Sequence, residues 1–373
     1  MKILIVCGEF FNKSNGLSVS TQRFVKEFMR QGQQVRVLAD DRGGKADYSV
    51  PVIHVPFFNG IMEAQNYFFA KPDRRVVREA LDWADLVHIE DPFPLSAVVV
   101  REARRRGIPI TGTFHLYPEN ITSSLPAINF KLSNRNIMNL FRWSVFKYCY
   151  AIQCPTEKVR KRLKHSGYKA KLYTISNGIL PEDIAEKPCT DKHGRFTIIS
   201  VGRYSNEKDQ KTLMKAIRGS RHAGEIDLIL AGKGPLEKQY RKLGNTLPNP
   251  PVMHFYDRSE LREAVRRADL YVHCANVEVE GMGCMEAFAA GTVPVIADSA
   301  LSSTSAYALS EQNRYKAGNV QELTRKIDYW FEHRADLPKV GEDYIALAKT
   351  LSIEESARKV IAMMNDTAKA FKK

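Results

Sequence analysis

The sequence predicts an α/β protein made of two units, each a parallel sheet covered by helices, and three observations predict it. Short apolar runs alternate with amphipathic helical stretches throughout the chain, as in βαβ units and unlike sandwiches or bundles. The alternation loosens in a polar stretch punctuated by Pro181, Pro188 and Gly194, then restarts at Phe196. A length of 373 residues with 44% hydrophobic content suffices for two cores.

In order, Lys2-Ile-Leu-Ile-Val-Cys reads as the first strand, followed by a loop through Ser14-Asn15-Gly16. A helix then carries Val19, Phe24, Phe28 and Met29, and Gln34-Val-Arg-Val-Leu is the next strand. Further strands are expected at 84–89, 108–114 and 151–154, with a helix over 95–106. The second cycle places strands at 196–201, 225–231, 252–255, 270–273 and 293–297. The tail after Leu351 is an amphipathic helix with Ile353, Ala357, Val360, Ile361 and Met364 on one side, and no strand follows it. The expected division is therefore 1–187, 188–351, and a terminal helix 352–373 packing back on the first unit. In parallel sheets ligands bind beyond the carboxyl ends of the strands, and here also in a cleft that the two units are expected to face.

Composition excludes several classes. Six cysteines form no C-x-x-C pair, so reduced thiols and no structural zinc are expected. The opening segment is too short in apolar residues, and interrupted by Glu9, to read as a signal peptide. No window approaches the roughly 20 apolar residues of a spanning helix. A cytoplasmic protein, or one peripheral on the inner face of the cell membrane, is the expectation. The net charge of +14 is uneven, with eleven basic residues and one acid, Glu157, within 131–171. Phe130, Phe141, Trp143, Phe146, Tyr148 and Tyr150 interleave with them. Such a mixture suits an anionic bilayer surface, or a helix pair with aromatics in its core and a solvated basic face. No helix-turn-helix, zinc-finger or RNP-like pattern accompanies it, so nucleic acid is not expected as a partner.

The chemistry concentrates in the strand-end loops. Glu278-Val-Glu280-Gly-Met-Gly-Cys-Met-Glu286 sets two carboxylates eight positions apart around a Gly-x-Gly break. On one continuous helix they would lie about 12 Å apart along the axis, so the glycines must change the geometry. The first Glu then sits beyond a strand, and the second in the opening turns of a helix whose bare amides attract anions. Gly202-Arg203-x4-Lys208 puts two cations after a strand, able to converge on one diphosphate or simply to be solvated. Ala231-Gly232-Lys-Gly234-Pro is a second close-approach loop, and the Gly16 loop precedes a helix. His115, in Thr113-Phe-His115-Leu-Tyr-Pro118-Glu119-Asn120, stands where a strand should end. There is no Asp-x-Asp, Walker lysine loop, G-x-S-x-G or early G-x-G-x-x-G.

Together these motifs resemble the retaining family-4 glycosyltransferases of GT-B fold. The likeness rests on Val201-Gly-Arg203-x4-Lys208, Ala231-Gly-Lys-Gly-Pro, Asn177-Gly178, and the Glu278 to Glu286 element with its Glu-Ala-x-Ala-x-Gly-x-x-Pro-Val-Ile continuation. Phe114-His115-x-x-Pro118-Glu119-Asn120, Ser205-Asn-Glu-Lys208, Asn249-Pro-Pro and Asp269-Leu-Tyr-Val-His are similar to the subgroup related to diacylglycerol glucosyltransferases. The resemblance implies that Arg203 and Lys208 hold the donor diphosphate and that Glu286 binds the ribose. It implies that Glu278 contacts the transferred sugar, with the amides of Gly281, Met282, Gly283 and Cys284 nearby. His115 would face the sugar as a catalytic residue, and the Gly16 loop would close over the phosphates. Two departures stand out: Asn15-Gly16 replaces a glycine pair, and Met282 replaces an aromatic. No metal and no other cofactor is expected, since the nucleotide-sugar is a substrate. The implied reaction moves a hexose from UDP-glucose or UDP-galactose, with retention, to a lipid such as diacylglycerol. A cell-surface polysaccharide or lipid-linked oligosaccharide acceptor is the alternative, and a non-catalytic basic membrane- or nucleic-acid-binding protein is the alternative of another class.

Overall fold

The computed structural model describes residues 1–12, 15–53, 68–122, 130–191 and 194–371. The chain divides into two compact units, Met1–Gly178 with Ile353–Lys373, and Ile179–Ser352.

The first unit holds a seven-stranded sheet in the order β3-β2-β1-β4-β5-β6-β7. Its strands are β1 (Lys2–Val6), β2 (Gln34–Asp40), β3 (Tyr48–Val50), β4 (Leu86–Ile89), β5 (Ile110–Thr113), β6 (Ala151–Cys154) and β7 (Lys171–Thr174). Every pairing is parallel, with Ile3 opposite both Val35 and Leu86. Burial on both faces explains the continuous apolar run of β1, in which Ile3 to Val6 are fully buried. The terminal helix Ile353–Phe371 lays Ala357, Val360, Ile361, Met363 and Met364 into the same cluster as Ile3, Ile5, Phe24 and Phe28. Burial of its four large side chains contributes about 6–12 kcal/mol as an upper bound, comparable to the whole stability of a domain.

The second unit holds a six-stranded parallel sheet, β10-β9-β8-β11-β13-β15, and a two-stranded parallel pair, β12-β14. Its strands are β8 (Phe196–Val201), β9 (Ile226–Ala231), β10 (Val252–His254), β11 (Leu270–His273), β12 (Val277–Glu278), β13 (Val293–Asp298), β14 (Leu301–Ser302) and β15 (Arg314–Lys316). The two- and three-residue strands β3, β12, β14 and β15 are too short to carry a readable period.

The division falls at 178/179, ahead of the 187/188 expected from composition. The Pro/Gly stretch after Ile179 belongs to the second unit because it is held there at several points. Arg258 donates to both carboxylate oxygens of Asp183 at 3.2 and 3.0 Å, and the Ala185 amide donates to the Ala289 carbonyl at 2.9 Å. Of this stretch, Lys192 and His193 lie outside the described residues.

Asn177-Gly178 has a structural reason. Gly178 adopts φ +77°, and a Cβ there would lie 2.5 Å from the Ile353 Cα, where the terminal helix begins. The Ser20 hydroxyl donates to Asn177 Oδ1 at 2.9 Å, fixing the residue before it. Gly32 has a similar φ of +79° but open space around it. Gly178→Ala is therefore expected to destabilise by roughly 2–4 kcal/mol, from left-handed strain plus the backbone clash. Gly32→Ala should show the strain alone, about 1 kcal/mol. Thermal melting of the two variants checks this: equal melting temperatures would show that the Ile353 contact is not limiting.

Candidate active site

The parallel arrangement brings the loops after β8, β9 and β11 to one edge of the second sheet, and these loops carry the residues singled out above. The β8 loop lies on the β9 loop. Gly202 donates its amide to the Ala231 carbonyl at 3.0 Å, Tyr204 donates to the Lys233 carbonyl at 3.1 Å, and Leu236 donates to the Tyr204 carbonyl at 3.1 Å. A Cβ on Gly232 would collide with the Gly202 carbonyl, and one on Gly234 would lie 2.6 Å from the Tyr204 amide nitrogen. The Gly-Lys-Gly glycines thus let the loop bearing Arg203 and Lys208 be clasped from beneath.

Arg203 and Lys208 are both partly exposed, and each is paired with a carboxylate. Arg203 Nη2 lies 2.9 Å from Oε1 of the buried Glu207, which also accepts from the Ser205 hydroxyl at 2.6 Å. Burial opposes ionisation of Glu207, but Arg203 and these hydrogen bonds outweigh it and lower its pKa. Lys208 Nζ donates to Glu278 Oε2. Glu278 is not in a free loop: it closes β12, opposite Ser302 of β14, and its carbonyl accepts the Ser303 amide at 3.0 Å. Glu280, two residues on, is 2% exposed and accepts from the Tyr307 hydroxyl at 3.1 Å. Of the two neighbouring carboxylates, Glu278 is the one that reaches the partly exposed edge.

The helix Met282–Ala289 starts at Gly281, packed against Thr304. Met282, Gly283 and Glu286 are partly exposed along its first turns, with Glu286 one turn beyond Met282 on the same face. Cys284 is different. It is fully buried, and its amide donates to the Gly281 carbonyl at 2.9 Å, so neither its thiol nor its N–H is presented. Burial, with the charge of Glu278, pushes that thiol far above its ordinary range, away from a nucleophilic thiolate.

Beneath this element β11 carries Tyr271 and His273, which lie within the Asp269-Leu-Tyr-Val-His subgroup motif but were given no role there. The Tyr271 hydroxyl is buried without a hydrogen-bond partner, and so is Nε2 of His273. A Cβ on Gly283 would lie 3.3 Å from the Tyr271 hydroxyl, and His273 Nε2 is 3.8 Å from Glu278 Oε2. A buried group of this kind costs about 1–3 kcal/mol until it gains a partner.

In the first unit, Asn15 caps the helix Gly16–Arg30, its Oδ1 accepting the Leu17 amide at 3.1 Å. That donor is therefore taken, whereas nothing lies within 4 Å of where a Gly16 Cβ would be. Ser14 lies outside the described residues. Beside the loop, burial raises the Glu9 carboxyl to about 7 against hydrogen bonds from the Phe68 amide, Asn12 and Asn15. His115 follows β5, and its side chain is nearly buried, with Nε2 2.8 Å from Glu90 Oε2. Glu90 follows β4, adjacent to β5, which is why the two meet. Burial opposes its charge, but His88, His115 and Thr113 together lower its pKa. A carboxylate on Nε2 holds that nitrogen as the N–H donor and leaves Nδ1 as the ring's acceptor. No spacing rule could have paired residues 25 apart in sequence; only strand order does.

Among the described residues no group of three or more His, Cys, Asp or Glu is placed to hold a metal ion. No described helix is long and apolar enough to cross a membrane.

Comparison with known proteins follows this geometry. The profile of Glycosyltransferase Family 4 matches residues 14–183, and that of Glycosyl transferases group 1 matches residues 183–349. The alpha-monoglucosyldiacylglycerol synthase of Streptococcus pneumoniae is 24% identical over 331 residues, covering 80% of this chain and 71% of the relative. The phosphatidyl-myo-inositol mannosyltransferase of Mycobacterium leprae is 25% identical over 315 residues, covering 80% and 78%. Among solved structures, sucrose-phosphate synthase from Thermosynechococcus elongatus superposes with a TM-score of 0.76 at 14% identity, covering 99% of this chain and 100% of that one. Anabaena HepE, in complex with UDP and glucose, gives 0.73 at 16% identity over 98% and 99%. With both profiles together spanning the two parallel-sheet units, and the Arg203, Lys208, Glu278 and Glu286 loops gathered at one sheet edge, the chain belongs to the family-4 glycosyltransferases of GT-B fold.

Proposed function

We propose that this glycosyltransferase moves a hexose, glucose or galactose, from a UDP-sugar to a membrane lipid such as diacylglycerol, with retention at the anomeric carbon. The observation that carries the donor half is the Lys208–Glu278 pair at the sheet edge beside the helix start at Gly281. A cation, a carboxylate and a helix N-terminus meet there, which suits a ligand that is a phosphate at one end and a polyol at the other. Arg203 and Lys208 take the diphosphate, Glu286 the ribose hydroxyls, and Glu278 the hydroxyls of the transferred sugar. The amides of Met282 and Gly283 lie at the helix end, and the Gly16 loop is assigned to the phosphates. Charge building on the leaving diphosphate is met by these cations and amides, so the chemistry assigned here needs no metal. His115, oriented by Glu90, is assigned to the reacting sugar. Transfer proceeds on one face of the sugar, the leaving phosphate oxygen accepting the proton of the acceptor hydroxyl.

A lipid acceptor is supported by the names of two relatives, a glucosyldiacylglycerol synthase and a phosphatidylinositol mannosyltransferase. It is supported independently by the helix Phe130–Ser144. Leu132, Leu140 and Trp143 are about 60% exposed, at 61%, 60% and 61%, and helical spacing places them on one side. Lys147 stacks 4.6 Å over the Trp143 ring, and Arg135 is exposed beside them. Part of the aromatic pattern serves the core instead, since Phe141 and Phe146 are buried. The remaining apolar ridge with its cations suits the boundary of an anionic bilayer. An alternative acceptor, a polysaccharide or lipid-linked oligosaccharide, uses the same donor chemistry.

Three outcomes are expected. Glu278→Ala and Lys208→Ala should each lower transfer by at least a hundredfold, Lys208→Ala also weakening UDP binding; assays over UDP-glucose, UDP-galactose and GDP-mannose with diacylglycerol vesicles measure it, and unchanged transfer would favour the non-catalytic reading. Glu90→Leu should lower kcat tenfold or more while UDP affinity stays within about twofold, because it frees His115 without touching the second unit. Replacing Leu140 and Trp143 by Gln should weaken sedimentation with phosphatidylglycerol vesicles by about tenfold or more. Binding by the wild type that ignores lipid charge and salt would sink the basic docking surface.

A further inference from the structure

His88 and His273 are both buried histidines inside parallel strands, and they differ in one respect. His88 of β4 has both ring nitrogens engaged, Nδ1 with the Thr111 hydroxyl at 2.8 Å and Nε2 with the Thr113 hydroxyl at 2.9 Å. His88 Nε2 also lies 3.6 Å from Glu90 Oε1, but its two hydrogen bonds leave neither nitrogen unsatisfied. His273 of β11 leaves Nε2 without a hydrogen bond, 3.8 Å from Glu278 Oε2. The same oxygen accepts from Lys208 Nζ. Burial, helped by Lys208 and opposed by Glu278, brings the imidazole pKa down to about 4, so the ring is neutral near pH 7. A neutral ring with its proton on Nε2 can donate one hydrogen bond toward that carboxylate.

The two donors compete for one oxygen, and the proposed function needs one of them elsewhere. Lys208 cannot hold a diphosphate and remain fully committed to Glu278. Once it turns away, Glu278 keeps a negative charge at a site only 18% exposed, where an unpartnered carboxylate is unfavourable. We propose that His273 is a positioning residue for donor binding: as Lys208 moves to the diphosphate, Nε2–H of His273 replaces it on Glu278 Oε2, which leaves Oε1 to accept from a sugar hydroxyl. The exchange requires Glu278 to move by about 1 Å, from 3.8 Å to hydrogen-bond distance. Glu278 is pinned by its backbone in β12, so a rotation of its side chain suffices. His273 thus acts through Glu278 and touches neither sugar nor phosphate. The proposal rests on the donor roles assigned above to Lys208 and Glu278.

The test is a double-mutant cycle read by calorimetry. Dissociation constants for UDP, and for whichever of UDP-glucose, UDP-galactose and GDP-mannose the wild type binds most tightly, are measured for wild type, His273→Phe, His273→Gln, Glu278→Gln and the Phe/Gln double variant. The readout is the affinity for the sugar nucleotide relative to its own nucleoside diphosphate. His273→Phe is expected to lower that ratio about tenfold, and His273→Gln, which keeps an N–H donor at similar reach, to restore most of it. In the Glu278→Gln background His273→Phe should have little further effect, because the carboxylate it serves is gone. Thermal melting of each variant separates loss of folding from loss of positioning. The proposal is overturned if His273→Phe leaves the ratio unchanged, or lowers it equally with and without the Glu278 carboxylate. A ratio that Glu278→Gln alone does not alter would instead overturn the assignment of Glu278 to the sugar, and this proposal with it.

Discussion

Everything at the candidate site depends on the parallel arrangement of the strands. A parallel strand must be re-entered from the same end, so each crossover delivers its loop to one edge of the sheet. In the second unit this rule puts the β8, β9 and β11 loops side by side, although residues 203, 232 and 278 are far apart in sequence. In the first unit the same rule makes Glu90, after β4, a neighbour of His115, after β5. The sheets can be all-parallel because apolar surface covers both faces. For the first sheet, part of that cover comes from the terminal helix, whose Val360, Met363 and Met364 join the cluster of Ile3 and Ile5. The terminal helix is therefore part of what holds the earliest strand in place.

The cations at that edge are held by carboxylates rather than free. Arg203 is held by Glu207 and Lys208 by Glu278. An isolated pair of this kind, partly exposed, contributes little net stability, about 0–1 kcal/mol. Its value lies in geometry. Long flexible side chains are kept near one position, which lowers the ordering cost of using them. Two features set the pairs apart. Glu207 is deeply buried and also accepts from Ser205, which makes the Arg203 partner a fixed support. Glu278 is less buried, and its Oε2 has the lysine and the His273 imidazole beside it, which is why the proposed exchange is placed on the Lys208 pair.

Much of this was legible in the sequence, for a reason that also marks the limit. Continuous apolar runs such as Ile3 to Cys7 and Val293 to Ala297 announce strands buried on both faces, and several strand-end loops announce themselves by glycine and charge. Glu278 and Glu280 stand two positions apart and differ in their surroundings: Glu280 is buried with the Tyr307 hydroxyl on it, whereas Glu278 pairs with Lys208. Cys284 illustrates what spacing leaves out. A residue within a glycine-rich helix start looks available, yet the first helical turn uses its amide and the core takes its thiol. The Pro181 to Gly194 stretch looked like a linker because composition reports backbone freedom, not the Arg258 and Ala289 partners that remove it. His273 and Glu90 were illegible for a third reason. Each sits within or just beyond an ordinary strand pattern, and its significance is a contact across the fold.

The distribution of polar satisfaction then argues where function lies. Many buried polar groups are paired, His88 with two threonines and Asp91 with the Gly8 amide at 2.6 Å and the Ser96 hydroxyl at 3.0 Å, while others such as the hydroxyls of Ser49 and Tyr315 are not. Under the Glu278 to Glu286 element two such unpaired groups, on Tyr271 and His273, lie on one strand. What sets His273 apart is what lies beside it, its Nε2 being 3.8 Å from the Glu278 oxygen that accepts from Lys208. A group kept unsatisfied in the empty protein gains its partner only when the neighbours rearrange. The neighbours here are Lys208 and Glu278, the residues assigned to the two ends of the donor. On the proposed exchange, the unmade hydrogen bond of His273 and the pairing of Lys208 with Glu278 are two sides of one feature, resolved when the donor takes the lysine.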